Sequence, residues 1–335
     1  MVYDMRKNGP IADIINARVI LAPMSGVTDI PSRMIARKFG CRFAFTEMID
    51  VNGIIYNNRK TLKLMETIPE DRPLGVQIVG QDEKKILRAA KICEDTGFEV
   101  LDLNAGCPAK KIIKGGKGAA LLKDPVKLGK IVRMLVRALS IPVMVKMRSG
   151  WDRDNMNYLE VARVVESEGA SAICVHARTK AQMYRGKAKH DITREIKENT
   201  GIPVIASGNI FTPDDVEQVF RTTGCDAIAI ARGALGRPWI FDEVYRRLDG
   251  KRASRQPSFD RIKKVISEHF SLSLEYFDEW RVFPRMYKHM TWYLSPFKEL
   301  GGIMKAYGAV KSPESFHDFM RRLSLDENNR LSLSV

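Results

Sequence analysis

Short apolar segments rich in β-branched residues recur along the first two thirds of the chain, with helical patterns of apolar residues between them. Most are separated by about one strand–helix unit, roughly 30 residues. Their near-continuous apolar character is typical of parallel strands buried on both faces. The pattern predicts eight strands, at residues 19–22, 43–46, 74–78, 100–104, 143–147, 172–176, 204–206 and 227–230.

Eight strand–helix units favour a closed barrel, because an open doubly wound sheet more often has fewer strands. Pro73, Pro142 and Pro203 stand just before predicted strands, where the chain needs a rigid entry. We therefore predict an α/β fold, a (β/α)8 TIM barrel, over residues 1–249.

The pattern changes after the predicted barrel. Residues 250–258 are polar and rich in turn formers, and we interpret them as a linker. Residues 259–335 lack strand alternation but carry apolar residues at helical spacing, which predicts a small all-helical C-terminal domain with a frayed end over the last ten residues.

The composition indicates which binding partners and which cellular compartment to expect for this protein. The 55 Lys and Arg residues exceed the 40 Asp and Glu residues, giving a net charge of +15 that favours polyanions such as nucleic acid or acidic lipid. The five cysteines are scattered without metal-ligand spacing, which predicts no metal site and a reducing cytoplasm. No signal peptide and no apolar run of roughly 18 residues is present, so no membrane span is expected.

In a barrel of this kind the active site lies where the strands end, so the polar residues there are the candidates for chemistry. After strand seven come Ser207, Gly208 and Asn209, and after strand eight come Ala231 and Arg232. Backbone N–H groups and an Arg at these two positions form the usual phosphate site of such barrels. The alternative is an ordinary pair of turns with a surface Arg.

Cationic side chains and one cysteine complete the predicted mouth. Lys146 and His176 end neighbouring strands, and Arg148 and Arg178, two positions later, should point to the same face. A solvated Lys or a core His would be the ordinary explanation. Cys107 follows strand four in a rigid Gly-Cys-Pro turn, which favours an acid or a nucleophile, whereas the other cysteines suit small apolar filler.

An ordered series of motifs covers the whole predicted barrel: LAPMSGVTD, TEM, GVQIVG, LDLNAGCPAKK, VKMRSGW, VHARTKAQMYRG, PVIASGNI and ARGALGRPW. The series resembles the tRNA-dihydrouridine synthases, most closely the bacterial synthase B branch. The later segment RMYKHMTWYL resembles that family's C-terminal RNA-binding domain.

The resemblance implies a flavin mononucleotide (FMN) over the barrel mouth. Lys146 would lie near its N1 and C2 carbonyl and His176 beside it. Loop seven reads Ser-Gly-Asn where the family commonly has Asn-Gly-Asp, and loop eight reads Ala-Arg for Gly-Arg, which puts the side-chain contacts of Ser207 and Asn209 in doubt. The other implied contacts are Pro23, Met24 and Ser25 beneath the ring, Gln77 on the ring, and Gly208, Ala231 and Arg232 with Ser207 and Asn209 at the phosphate.

The same resemblance implies the reaction. Reduced FMN would deliver hydride from N5 to C6 of a tRNA uracil, and the Cys107 thiol would protonate C5. NADPH or NADH would reduce the flavin transiently, since no GxGxxG unit is present. The flipped base and the backbone need polar and cationic partners, for which we select Asn104, Lys111, Arg148, Arg178, Arg285, Lys288 and His289.

Three other functions stay open on sequence. A flavin barrel could reduce a free pyrimidine, as dihydroorotate dehydrogenases do, but a basic helical domain would then have no use. A barrel that binds structured RNA without catalysis would not need the set of Gln77, Cys107, Lys146, His176 and Arg232. A Schiff-base aldolase using Lys146 is the remaining candidate. We expect a monomer.

Overall fold

The computed structural model describes residues 5–251 and 257–334. Contacts between residues divide the chain into two compact units. The first contains residues 1–29 and 41–232, and the second contains residues 30–40 and 233–335.

The first unit is a closed barrel of eight parallel strands in sequential order, which confirms the predicted fold. The barrel closes where β1 pairs with β8, with Val19 opposite Ile228 and Leu21 opposite Ile230. The strands are β1 Val19–Leu21, β2 Ala44–Asp50, β3 Leu74–Val79, β4 Val100–Ala105, β5 Val143–Arg148, β6 Ala172–His176, β7 Val204–Ser207 and β8 Ala227–Ile230.

Several helices of the first unit begin at clear sequence signals. The Asp82 side chain accepts a hydrogen bond from the Lys85 N–H, and Thr212 and Asp215 form a reciprocal capping box around Pro213. These helices are α1 Met5–Ala17, α3 Val51–Ile55, α4 Arg59–Leu64, α5 Glu83–Asp95, α6 Lys110–Lys114, α7 Pro125–Ala138, α8 Tyr158–Ser167, α9 His190–Glu198 and α10 Pro213–Thr223.

An apolar cluster fills the barrel below its mouth. Ile20, Phe45 and Met144 from three strands belong to it, together with Ile11 and Ile14 of α1. Because α1 shares this cluster, it covers the end of the barrel where the strands begin. The opposite end, where the strands finish, is therefore the open one.

The second unit is mostly helical and takes two segments from within the predicted barrel. Phe270 stacks on Phe316 with ring centroids 3.6 Å apart, and Ile35 joins the same core. The predicted boundary at residue 249 thus differs from the contact boundary at 232, and residues 252–256 of the predicted linker lie outside the described residues. The helices are α2 Ile30–Lys38, α11 Ile240–Leu248, α12 Phe259–Tyr276, α13 Glu279–Leu294, α14 Leu300–Tyr307 and α15 Pro313–Arg322.

The C-terminal segment is not the frayed end that composition predicted. Strands β9 Leu323–Leu325 and β10 Leu331–Leu333 pair antiparallel, so the second unit is not entirely helical. Leu323 and Leu331 are buried in the core of this unit, and their burial stabilises the hairpin. Over residues 5–251 and 257–334, no helix combines the length and the apolar character needed to cross a membrane.

Gly236 gives a test of the packing in the second unit. Its φ is +62°, and a Cβ there would lie 2.2 Å from the carbonyl carbon of Trp292. Gly236→Ala therefore forces both a left-handed alanine and a backbone clash. We expect it to lower the free energy of unfolding by roughly 3 kcal/mol or more. Denaturant unfolding measures this, with Gly301→Ala, where a Cβ meets nothing within 4 Å, as the control.

Candidate active site

A cavity of about 480 Å³ opens at the carboxyl ends of the barrel strands. It brings together Cys107 and every residue predicted to bind the cofactor, along with Asn104 and Arg148. Its lining from the predicted set is Pro23, Met24, Ser25, Gln77, Asn104, Cys107, Lys146, Arg148, His176, Ser207, Gly208, Asn209, Ala231 and Arg232.

One side of the cavity has the backbone and charge needed for an anion. Gly208, after β7, has φ +107°, and a Cβ there would lie 2.7 Å from His176 Cδ2, so only glycine lets the loop approach the ring this closely. Arg232 begins a short 3₁₀ turn after β8, and its guanidinium lies over the rings of Tyr184 and Phe211. A phosphate placed here would lie beside a cation and against the backbone of the loops that follow β7 and β8.

Asn209 uses its side chain to hold the loop. Its Oδ1 accepts hydrogen bonds from Arg178 Nη2 and from the Ala188 N–H. The departure from the commoner Asp at this position therefore leaves the loop anchored, because an amide oxygen accepts these bonds as a carboxylate would.

His176 is a neutral imidazole with a defined tautomer. Arg178 Nη1 lies 3.0 Å from His176 Nε2. Because a guanidinium only donates, Nε2 accepts and the ring proton is on Nδ1. Burial, followed by repulsion from Arg148, Lys146 and nearby arginines, lowers the pKa of His176 far below its ordinary value. The ring is therefore a hydrogen-bonding group and not a cation at neutral pH.

Arg148 lines the cavity, but its N–H groups donate hydrogen bonds to backbone carbonyls. Its Nε donates to the Gly106 carbonyl at 2.8 Å, and its Nη1 donates to the Thr179 and Met183 carbonyls at 2.9 and 2.8 Å. Burial lowers the pKa of Arg148 to about 10, so it remains charged at neutral pH. It ties the loop after β4 to the loop after β6 and supplies a positive charge at the mouth.

Cys107 is held at the mouth by backbone hydrogen bonds. Its N–H and that of Gly106 donate to Asn104 Oδ1 at 2.8 and 3.0 Å, and its carbonyl accepts from the Ala119 N–H at 3.1 Å. Burial raises the pKa of its thiol, against smaller opposing effects from the Ala109 backbone and Arg148. Cys107 is partly exposed, whereas the other four cysteines are buried. The group at the mouth is thus a protonated thiol at neutral pH.

Sequence reasoning missed a buried carboxylate beneath this loop. Asp102 on β4 is 1% exposed, and its Oδ2 accepts from Gln77 Nε2 at 2.6 Å. Burial raises the pKa of Asp102 to about 7, while the Gln77 hydrogen bond and the positive charge of Lys146 oppose the shift. The available signal was its spacing, since Asp102 and Asn104 share one face of a strand by alternation.

Tyr184, Met48 and Phe211 also line the cavity and were not selected from sequence. The Tyr184 ring is 53% exposed, and the guanidiniums of Arg232 and Arg148 lie 5.1 and 5.7 Å from its centroid. The Met-Tyr-Arg-Gly segment that carries it follows β6 in sequence, which was the available signal. These apolar and aromatic surfaces suit a planar ring ligand.

Two predicted substrate contacts of the barrel do not line the cavity as far as the chain is described. Arg178 is 1% exposed and holds His176, Asn209 and the Arg185 and Gly186 carbonyls, so it supports the site from behind. Lys111 is exposed on α6. The structure thus gives Arg178 a supporting position behind the cavity, and its predicted contact with substrate stays a prediction.

The predicted RNA contacts of the second unit lie on α13. Lys288 is exposed and Arg285 is partly exposed, but His289 is 6% exposed and its ring centroid lies 4.3 Å from that of His269. Burial and the charges of Arg285 and Lys288 lower the pKa of His289 to about 3. His289 therefore belongs to the core of this unit, which corrects its predicted role as a substrate contact.

Known proteins are similar in sequence to this chain over most of its length. It is 39% identical over 280 residues to tRNA-dihydrouridine synthase B of Pseudomonas aeruginosa, covering 83% of this chain and 84% of that protein. It is 36% identical over 293 residues to the same-named protein of Vibrio parahaemolyticus, covering 87% and 91%. A probable tRNA-dihydrouridine synthase of Rickettsia conorii is 35% identical over 320 residues, covering 95% and 97%.

A solved structure and a family model complete the comparison. Histamine dehydrogenase from Rhizobium sp. 4-9 superposes with a TM-score of 0.53 at 13% identity, covering 76% of this chain and 48% of that one, which shows a shared fold. The family model described as dihydrouridine synthase matches residues 20–322. With that match spanning the barrel and most of the second unit, the chain belongs to the dihydrouridine synthase family.

Proposed function

We propose that this protein reduces uridine in tRNA to dihydrouridine, with FMN as the hydride carrier and Cys107 as the proton donor. The observation that carries the proposal is the single cavity lining that combines a partly exposed thiol, Lys146, His176 and an anion site at Arg232. The family match and the names of the similar proteins support the same reaction.

The residues of the cavity fit FMN. The backbone after β7 and Arg232 would hold its phosphate, and the apolar lining by Met24, Met48 and Ala229 would accept its ring. When bound, FMN supplies the hydride for C6 of the uracil. Lys146 would place a positive charge where negative charge accumulates, which favours the reduced form of such a cofactor. NADPH or NADH is the proposed reductant.

Proton delivery falls to Cys107. A donor must hold its proton at neutral pH, and burial keeps the Cys107 thiol protonated. The neutral His176 lacks the extra proton that a competing acid would need. Because burial raises the pKa of the Cys107 thiol above its ordinary value of 9.0, loss of its proton should slow the reaction only at a pH above that value.

The tRNA would meet cations and exposed aromatic rings. Trp280 and Tyr287 are 69% and 44% exposed on α13, seven positions apart and thus on one face, and Lys288 is exposed beside them. Exposed rings among cations are suited to stack on unpaired bases near a phosphate backbone. A free pyrimidine would not need this face, so the face favours a tRNA substrate.

Five unbridged cysteines support a cytoplasmic location.

Flavin binding tests the proposal directly. The purified protein should absorb in the visible flavin region and release noncovalent FMN on denaturation. Arg232→Ala should weaken FMN binding about 10- to 100-fold, because a phosphate loses a charge-assisted hydrogen bond. Equilibrium titration with FMN measures the change, and Arg221→Ala, which removes an exposed arginine of α10, is the control. Absence of a visible band even after FMN is added would refute the cofactor assignment.

A further inference from the structure

Three buried side chains form a continuous series of hydrogen bonds under the loop that follows β4 and carries Cys107, which we call the Cys107 loop. Gln77 Nε2 donates to Asp102 Oδ2 at 2.6 Å, and Asn104 Nδ2 donates to Gln77 Oε1 at 2.8 Å. Asn104 Oδ1 then accepts from the backbone N–H groups of Gly106 and Cys107 at 3.0 and 2.8 Å. The chain therefore runs from a carboxylate in the barrel interior to the backbone of the proposed proton donor.

The chemistry of the two ends sets the orientation of both amides. Backbone N–H groups only donate, so the Asn104 oxygen must face the loop and its NH₂ group must face Gln77. Gln77 then turns its oxygen to Asn104 and its NH₂ group to the far side. Only an acceptor can complete the chain there, and Asp102 supplies one.

Burial makes Asp102 costly as a purely structural residue. Gln77 and Asp102 are each 1% exposed and Asn104 is 5% exposed. An apolar residue of similar size would avoid the desolvation of a carboxylate in this interior. The acidic side chain is therefore explained by what it orients, since its Oδ2 accepts the hydrogen bond of Gln77.

We propose that Asp102 is a positioning residue for the proposed reduction: it orients Gln77 and, through Gln77 and Asn104, holds the backbone of the Cys107 loop in one arrangement. The proposal rests on the proposed function for its biological meaning. The ordering of the loop is a physical property that can be measured without substrate.

Two substitutions separate the acceptor from the charge. Asp102→Asn keeps an oxygen that can accept from Gln77 and removes the charge. Asp102→Leu removes the acceptor, so the buried Gln77 NH₂ group loses its partner and both amides can turn. The proposal requires that Asp102→Asn preserves the ordered loop and that Asp102→Leu does not.

The measurement is the rate at which iodoacetamide alkylates Cys107 in the full-length protein with saturating FMN, followed by peptide mass spectrometry. Four of the five cysteines are buried, so the rate at position 107 reports on its loop. We expect Asp102→Leu to raise this rate about tenfold, since the free-energy cost of an unsatisfied buried donor allows the loop to open. Asp102→Asn should stay within about twofold of the unsubstituted protein on the same reasoning.

A matched control removes an ordinary structural explanation. Asp226 lies just before β8, where it accepts hydrogen bonds from Lys197 and from the Val204 N–H. Asp226→Asn should lower the melting temperature without changing alkylation of Cys107. If it accelerated alkylation as much as Asp102→Leu does, general destabilisation would account for the result and the proposal would be overturned.

A double-mutant cycle tests whether Asp102 acts through Gln77. In the Gln77→Leu variant the series of hydrogen bonds from Asp102 to Asn104 is already interrupted. Adding Asp102→Leu to this variant should therefore change the alkylation rate by less than about twofold. Independent effects that multiply would overturn the proposal. If Asp102→Leu does not fold, Gln77→Leu alone must still accelerate alkylation, and an unchanged rate there overturns it equally. The same rates are also compared without FMN, so a protein that fails to bind flavin or tRNA still tests the ordering of the loop, and the two proposals fail separately.

Discussion

Cys107→Ala should leave reduction of the flavin by NADPH nearly unchanged and slow its tRNA-dependent reoxidation by about 10²- to 10⁴-fold, the usual contribution of a general acid. The physical reason is that the thiol would donate a proton to C5 and take no part in hydride delivery. The side chain is small and lies on the cavity surface, so its loss leaves the cofactor contacts of β7 and β8 in place.

Anaerobic stopped-flow absorbance separates the two half-reactions, because flavin bleaching reports the first and recovery on adding unmodified tRNA reports the second. Cys93→Ala, which changes a buried cysteine on α5 away from the cavity, is the matched control and should keep both rates. Equal slowing of both half-reactions would assign Cys107 to cofactor binding or structure. Two unchanged rates would show that it is filler.

Replacing the exposed face of α13 should weaken tRNA binding by about two orders of magnitude. Trp280→Ala and Tyr287→Ala remove two stacking surfaces, each worth roughly 1–3 kcal/mol when a base is bound, and Lys288→Glu reverses a charge. The slope of log affinity against log salt should also fall by about one, because one phosphate contact is lost.

Binding isotherms at several salt concentrations measure both effects, and the FMN spectrum and melting temperature check that the fold is intact. Arg221→Glu on α10 makes the same change of net charge elsewhere and should leave the affinity within about twofold. An unchanged affinity for the α13 variant would contradict the assignment of this face to tRNA.

Point substitutions are the correct test of the second unit, because its core is not contiguous in sequence. Ile35 of α2 packs in the same cluster as Ile266, Phe270 and Phe316. A truncation at residue 259 would leave Ile35 of α2 and Trp239 without most of their apolar partners. Loss of tRNA binding by such a fragment would then report on folding rather than on recognition.

The sequence by itself determined the barrel fold and which residues lie at the open end of the barrel. Eight apolar segments predicted eight parallel strands. Both faces of such strands are covered, so each strand is apolar along its whole length and can be identified from a few consecutive residues. Polar residues at the strand ends then had to meet, since parallel strands in a closed barrel finish at one end. Cys107, Lys146, His176 and Arg232 were identified in this way.

Only the tertiary structure decided which of these side chains face the cavity and which support it. Alternation predicted one direction for Arg148 and Arg178, but hydrogen bonds to loop carbonyls turned Arg178 behind His176. His289 shares a helical face with Met286 and Tyr293, and burial of that face was decided by the helices that pack on it. The orienting chain from Asp102 to Cys107 needs three side chains from two strands, and such long-range contacts leave no local pattern in a single sequence.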